Sequence, residues 1–267
     1  MSAATLPLQS GGQSGAPATQ RRFLYVLRLA DASLILAQRL GELVGHAPAL
    51  EEDLGLANVG LDLLGQARML LTYAGEVEGA GRTEDTLAFF REHRDFLNPI
   101  LVEQPNGDFA QTIVRQLFID AWQYELYEHL ARSSDARLAE IAGKALKETR
   151  YHLRYSANWL VRLGDGTQES HDRAQRALDQ LWPYTMELFD PDEIDDEMTR
   201  AGIAPDSAAV RQGWNAHING VLAEATLQRP ADKPYLWYGK RGDHSEHLGR
   251  LLAEMQYLQR TYPGASW

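Results

Sequence analysis

The side chains best suited to chemistry are eight histidines; cysteine is absent. Without thiols there is no disulfide, thiol nucleophile, iron–sulfur cluster or Cys-ligated zinc, so any metal must be held by His, carboxylate or water. The strongest helical metal pattern of that kind is Glu-x-x-His, because positions i and i+3 share one face. Two such pairs, with one carboxylate from each of two further helices, hold a di-iron centre in a four-helix bundle. The residues three before each histidine are Leu43, Phe90, Leu126, Thr149, Gln168, Trp214, Arg241 and His244. None is a carboxylate, so no Glu-x-x-His exists anywhere in the chain.

The positions such a cage would use are still legible. Ile113, Leu117, Asp120, Tyr124 and Tyr127 share a helical stripe that turns Asp120 inward. Leu138, Ala142, Ala145, Thr149, His152, Ser156 and Leu160 share another, with Thr-x-x-His inside it. Leu56, Val59, Leu63, Gln66, Leu70 and Tyr73 share a third, with Leu-x-x-Gln at the matching place. Glu42 follows Ile35 by one heptad. The degenerate cage is therefore Glu42, Leu63, Gln66, Asp120, Thr149 and His152. Leucine has no lone pair, and neutral Gln and Thr do not bridge two metal ions as carboxylates do. A metal-free polar network is the preferred reading, ahead of one bound metal ion and then of an active di-iron centre. No residue is expected to be catalytic, cofactor-binding or metal-ligating. His244 and His247 form a His-x-x-His read as a capped helix start. The acidic run from Asp190 to Glu197 reads as a solvated loop and helix N-terminus.

Positioning those residues takes long helices. Prolines punctuate two long proline-free stretches, 49–98 and 106–182, and apolar residues recur at three- and four-residue spacing. Long helices are predicted over about 21–45, 50–79, 108–132 and 135–163. Shorter ones are predicted over 84–95, 167–188, 192–201, 206–226 and 244–261, with a long loop at 228–243. Broad apolar stripes predict that the second and fourth long helices lie inside the bundle. Arg21-Arg22 before an apolar run looks like a twin-arginine leader, but Arg28 and Asp31 interrupt it and make it an amphipathic helix. The pattern of helix pair, long connection, helix pair is that of ferritin-like bundles. The fold class is thus all-α, a ferritin-like four-helix bundle with additional C-terminal helices. Residues 1–20 read as a disordered tail, and 21–267 as a single domain with its core bundle at about 21–163 and added helices at about 167–267.

The 267 residues carry 26 basic and 37 acidic side chains, a net charge of −11. That balance excludes nucleic acid and disfavours an anionic membrane. No phosphate loop, Gly-x-Ser-x-Gly elbow or dinucleotide fingerprint is present.

The segments LANVGLDLLGQARMLLTYAGEVEG, GRTEDTLAFFRE, LVEQPNGDFAQTIVRQ, KALKETRYHLR, LVRLGDGT, LWPYT and GDHSEHLGRLLAEMQYLQRTYPGASW carry a further signal. Over residues 22–267 the chain resembles the family of C-type subunits of bacterial phenylacetyl-CoA epoxidases, also called phenylacetate-CoA oxygenases. That resemblance implies a cytoplasmic heteromeric monooxygenase of phenylacetate catabolism, which makes a ring 1,2-epoxide with O2 and NADPH. It implies partners: a di-iron catalytic A-type subunit, a small B-type subunit, and transiently a reductase with flavin and iron–sulfur groups. The C-type subunit is then a structural component with no cofactor of its own. The alternative is a ferritin-like oxygenase component with its own degenerate iron site. Trp122, Trp159, Trp214, Trp237, Tyr257 and Trp267 are the candidate interface aromatics, about half of which belong to the core on general grounds.

Overall fold

The computed structural model describes residues 18–233 and 238–265. The expected tail therefore lies outside the described residues except at 18–20, which are helical; Trp237 and Trp267 lie outside them too. Four long helices form two hairpins: α1 (Ala18–Leu43) with α2 (Leu50–Glu78), then α5 (Phe109–Leu130) with α6 (Ala136–Gly164). The crossover between them holds the short helices α3 (Glu84–Phe89) and α4 (Ile100–Glu103). Then follow α7 (Gln168–Leu181), a 3-10 segment (Trp182–Phe189), α8 (Glu193–Arg200), α9 (Ser207–Glu224), α10 (Glu246–Met255) and α11 (Tyr257–Thr261). Among the described residues no strand occurs, and no helix is long and apolar enough to cross a membrane.

Local chemistry sets the boundaries. Asp108 and Asp135 cap α5 and α6 by accepting from Gln111 N–H at 3.0 Å and Leu138 N–H at 3.1 Å. Helix α2 has no side-chain cap but carries Glu51, Glu52 and Asp53 in its first turn, favourable for the helix dipole, and stops at left-handed Gly79. Gly60 lets α2 approach α1 closely, since a Cβ there would stand 3.3 Å from the Cβ of Leu40.

The structure reverses the expected inner and outer helices. Helix α1 is buried on nearly every side from Phe23 to Leu40, and α5 is buried along most of its length. Helices α2 and α6 each bury one stripe and face outward on the other. The cause is that α2 has leucines on two faces: Leu56, Leu63 and Leu70 point inward, while Leu50, Leu54, Leu61 and Leu64 are exposed. Nor is α1 amphipathic. The charges that seemed to interrupt its apolar run are buried and paired. Arg91 Nη1 donates to Asp31 Oδ2 at 2.9 Å, Arg91 Nη2 donates to Asp31 Oδ1, and Leu97 N–H donates to Asp31 Oδ2 at 2.8 Å. Arg28 Nη1 and Nη2 donate to Asp192 at 2.9 and 2.6 Å.

That last pair also corrects the reading of the acidic run. Asp192 caps α8 and grips Arg28, which holds its carboxyl well below the usual range despite burial. Asp195 accepts from Lys240 Nζ at 2.8 Å, and Glu197 pairs with Arg21. The run is the helix N-terminus expected, with Glu193 and Asp196 exposed, but Asp192, Asp195 and Glu197 are not solvated: they pair with Arg28, Lys240 and Arg21 and clamp α1.

The C-terminal third packs on α5 through aromatics. Phe118, Trp182, Phe189 and Trp214 have ring centroids 5.2–5.8 Å apart, and Trp214 Nε1–H donates to the Phe118 carbonyl at 2.9 Å. Trp214 is thus core, Trp122 and Trp159 are partly buried, and Tyr257 is exposed.

Candidate functional site

The centre of the bundle carries the polar side chains that the stripes pointed inward. Asp120 from α5 is fully buried; Ser156 Oγ donates to its Oδ2 at 2.7 Å and Gln116 Nε2 to its Oδ1 at 3.3 Å. Burial pushes its carboxyl up to about 6, against the opposing pull of His152 and the Ser156 hydrogen bond. His152, also buried, presents its Nε2–H to Asp62 Oδ2 at 3.0 Å. Its Nδ1 finds no hydrogen-bond partner among the described residues.

A second string runs beside the first. Gln66 Nε2 donates to Glu148 at 3.0 Å, and the Tyr127 hydroxyl donates to Gln66 Oε1 at 3.4 Å. Gln123 Nε2 donates to Ser33 Oγ at 3.2 Å, so Ser33 is the polar group that α1 supplies. Thr149 turns its hydroxyl back onto the Ala145 carbonyl at 3.0 Å, and Leu63 is fully buried.

Five of the six positions predicted for the cage therefore lie in the buried interior: Leu63, Gln66, Asp120, Thr149 and His152. Glu42 does not. It is exposed in the last turn of α1, where Arg39 Nη1 donates to its Oε2 at 2.7 Å and Asn106 reaches it at 3.5 Å. The heptad step from Ile35 runs out of the bundle because α1 ends at Leu43. Asp62 was missed because it sits one residue off the buried α2 stripe, where periodicity assigns it to the surface.

This donor set does not fit a two-metal centre. Among the described residues no three His, Asp or Glu side chains converge on one point. At the positions expected for the two Glu and one His of the paired motifs, Leu63, Thr149 and Gln66 offer an alkyl group, a hydroxyl spent on its own helix, and an amide engaged with Glu148 and Tyr127. Asp120 and His152 are the ligand-type groups left inside.

The His-x-x-His pair is likewise divided. His244 turns inward: its Nδ1 lies 3.2 Å from buried Glu103 and its Nε2 lies 2.7 Å from the Phe96 carbonyl. Ser245 caps α10, and His247 stays on that helix's first turn. Glu103 also accepts from Ser245 N–H at 2.7 Å, and Glu187 nearby accepts from Ile100 N–H at 2.9 Å and Lys240 N–H at 3.0 Å. These bonds tie the C-terminal segment to α4. A separate cavity of about 420 Å3 opens between α1, α5, α8 and α9, lined by Tyr25, Leu29, Trp122, Leu126 and Val210 among others. Neither Asp120 nor His152 lines it.

Two hairpins joined by a crossover, enclosing a polar string where metal ligands would stand, define a ferritin-like helical protein. The same fold recurs, at 16% identity and a TM-score of 0.53, in a Synechococcus protein with aldehyde deformylating oxidase activity, over 80% of this chain and 93% of that one. The chain belongs to the phenylacetic acid catabolic protein family, whose model matches residues 8–267. It is 56% identical over 243 residues to the C-type subunit of the 1,2-phenylacetyl-CoA epoxidase of Escherichia coli (strain K12), covering 91% of this chain and 98% of that protein.

Proposed function

We propose that this chain is a non-catalytic structural component of a heteromeric phenylacetyl-CoA epoxidase in the cytoplasm. The observation that carries this reading is the interior itself: Leu63, Gln66 and Thr149, the positions assigned to metal ligands from the sequence, are buried and carry no carboxylate or imidazole. The long match to a C-type epoxidase subunit supplies the context. The chemistry then belongs to partners. A paralogous A-type subunit holds the di-iron site and the CoA thioester, a small B-type subunit joins the assembly, and a flavin and iron–sulfur reductase passes electrons from NADPH. This chain's task is to hold the catalytic paralogue's helices in their metal-binding geometry by covering one of its faces. Reconstitution with and without this chain tests the reading. With it, the partner should retain iron and epoxidise phenylacetyl-CoA. Equal iron content and rate without it would refute the scaffold role.

The orphaned Nδ1 of His152 favours one second reading, a single metal ion held by His152 and Asp120. Equilibrium dialysis of the isolated chain against Fe(II) separates the two. Stoichiometric iron that His152→Ala abolishes would establish the metal site and displace the metal-free network.

A further inference from the structure

The outward face of α2 is built like an interface. Leu50, Leu54, Ala57, Leu61 and Leu64 follow one another at spacings of four, three, four and three, the seam pattern of helices that pack side by side. The four leucines are 70, 57, 65 and 43% exposed. At 1.5 Å per residue the seam is about 21 Å long. A Cβ added at Gly65, beside Leu64, would meet open space. A soluble chain rarely leaves a contiguous leucine ridge in water without a partner.

Beside that seam runs a cationic row on α6. Lys144, Lys147, Tyr151 and Arg154 are exposed at spacings of three, four and three. Among the described residues Lys144, Lys147 and Arg154 have no ion-pair partner, although the chain carries eleven more acidic than basic side chains. Arg154 lies 5.6 Å over the Tyr151 ring. Three cross-links join the two helices beneath this surface: His152 to Asp62, Gln66 to Glu148, and Tyr155 to Glu52. Seam and row are therefore parts of one pre-organised face.

We infer that this α2–α6 face is the docking surface for the catalytic paralogue. The occupant is a helix of that partner with an apolar stripe against the leucine seam and acidic side chains toward Lys147 and Arg154. The inference rests on the scaffold reading above and gives that reading a location. A leucine stripe edged with lysines also suits an anionic membrane. The strict three–four spacing on a helix already fixed in a bundle favours a helical partner.

The test mixes the purified full-length chain with the recombinant catalytic paralogue of the same organism and measures association by sedimentation velocity. Leu54→Asp/Leu61→Asp should weaken association at least ~100-fold, since the centre of a packed interface dominates its affinity. Lys147→Glu/Arg154→Glu should weaken it about tenfold and flatten its salt dependence. Leu258→Asp, an exposed apolar site on another surface, should leave it unchanged. Far-UV circular dichroism checks that each variant folds, and all the altered side chains are exposed. If the wild-type chain does not associate, the scaffold reading itself falls. If the wild-type chain associates and the folded Leu54→Asp/Leu61→Asp variant does so equally well, the face is wrong while the scaffold stands. Wild-type self-association, or binding to phosphatidylglycerol vesicles, that the same leucine variant abolishes would also overturn the assignment.

Discussion

Replacing Asp120 by Asn should stabilise this protein, increasingly so as the pH rises. The carboxyl is fully buried, and burial raises it from the ordinary 3.8 to about 6. The folded chain therefore keeps a proton that the unfolded chain has already lost. Stability from this group is complete below pH 3.8 and is lost as the pH rises through 6. A tenfold change in proton affinity is worth about 1.4 kcal/mol, so relative to low pH this group's titration lowers stability by about 3 kcal/mol at pH 8 and, through ionisation of the unfolded chain, by about 1 kcal/mol at pH 4.5. Asparagine is neutral throughout and has the same shape. Its Oδ1 can accept from Ser156, and its Nδ2 can donate to Gln116 Oε1, a buried atom without a partner among the described residues, once that amide turns over. Other buried acids, such as Glu187 held up to about 7 by burial, contribute equally to both proteins and cancel in the difference. Urea denaturation of both proteins at pH values from 4.5 to 8 reads that difference directly. The variant's advantage should grow from about 1 to about 3 kcal/mol across that range. A variant less stable than wild type at pH 8, or a difference that ignores pH, would show that Asp120 is needed as an anion, as a metal ligand is.

Asp31→Ala strands the Arg91 guanidinium in the core and should lower stability by about 3–5 kcal/mol in the same denaturation assay. The double replacement Asp31→Leu/Arg91→Leu should lower it less than Asp31→Ala alone. Gly164→Ala drives a Cβ into the Ala225 carbonyl where α6 meets the end of α9, and should lower stability by about 1–3 kcal/mol, read by thermal melting. The combined Leu63→Glu, Gln66→His and Thr149→Glu variant restores two Glu-x-x-His pairs around Asp120 and His152. It should acquire Co(II) with visible d–d absorption that the wild-type chain does not give. A colourless variant that remains folded would mean these positions do not face a common point.

The sequence stripes of α6 are all buried where periodicity placed them, from Leu138 to Leu160, because that helix has one apolar face and one charged face. Asp120 and His152 were legible for the same reason. Helix α1 was not, since pattern reading sends every charge to solvent. The partners that bury Arg28 and Asp31 lie at Asp192 and Arg91, where nothing local announces them. Helix α2 misled in the opposite direction. Its two leucine stripes give an apolar composition on both sides, and composition does not distinguish a core face from one awaiting another chain. Ser33, Asp62 and Gln123 complete the central network through cross-helix contacts that no spacing along one helix encodes.

The clamp on α1 also dictates an order of events during synthesis. Helix α1 leaves the ribosome before the other described helices, yet Arg21 and Arg28 meet the carboxylates of Glu197 and Asp192 more than 160 positions later in the chain. This helix is thus made before the other described helices and completed late. Contacts of such long sequence separation slow folding, because the loop between them must close before they form. A nascent chain halted before residue 190 would hold two hairpins around an unneutralised buried cation, a species prone to aggregate or be degraded. The ion pairs that neutralise these buried cations therefore form only once the acidic run has arrived, after both hairpins are made.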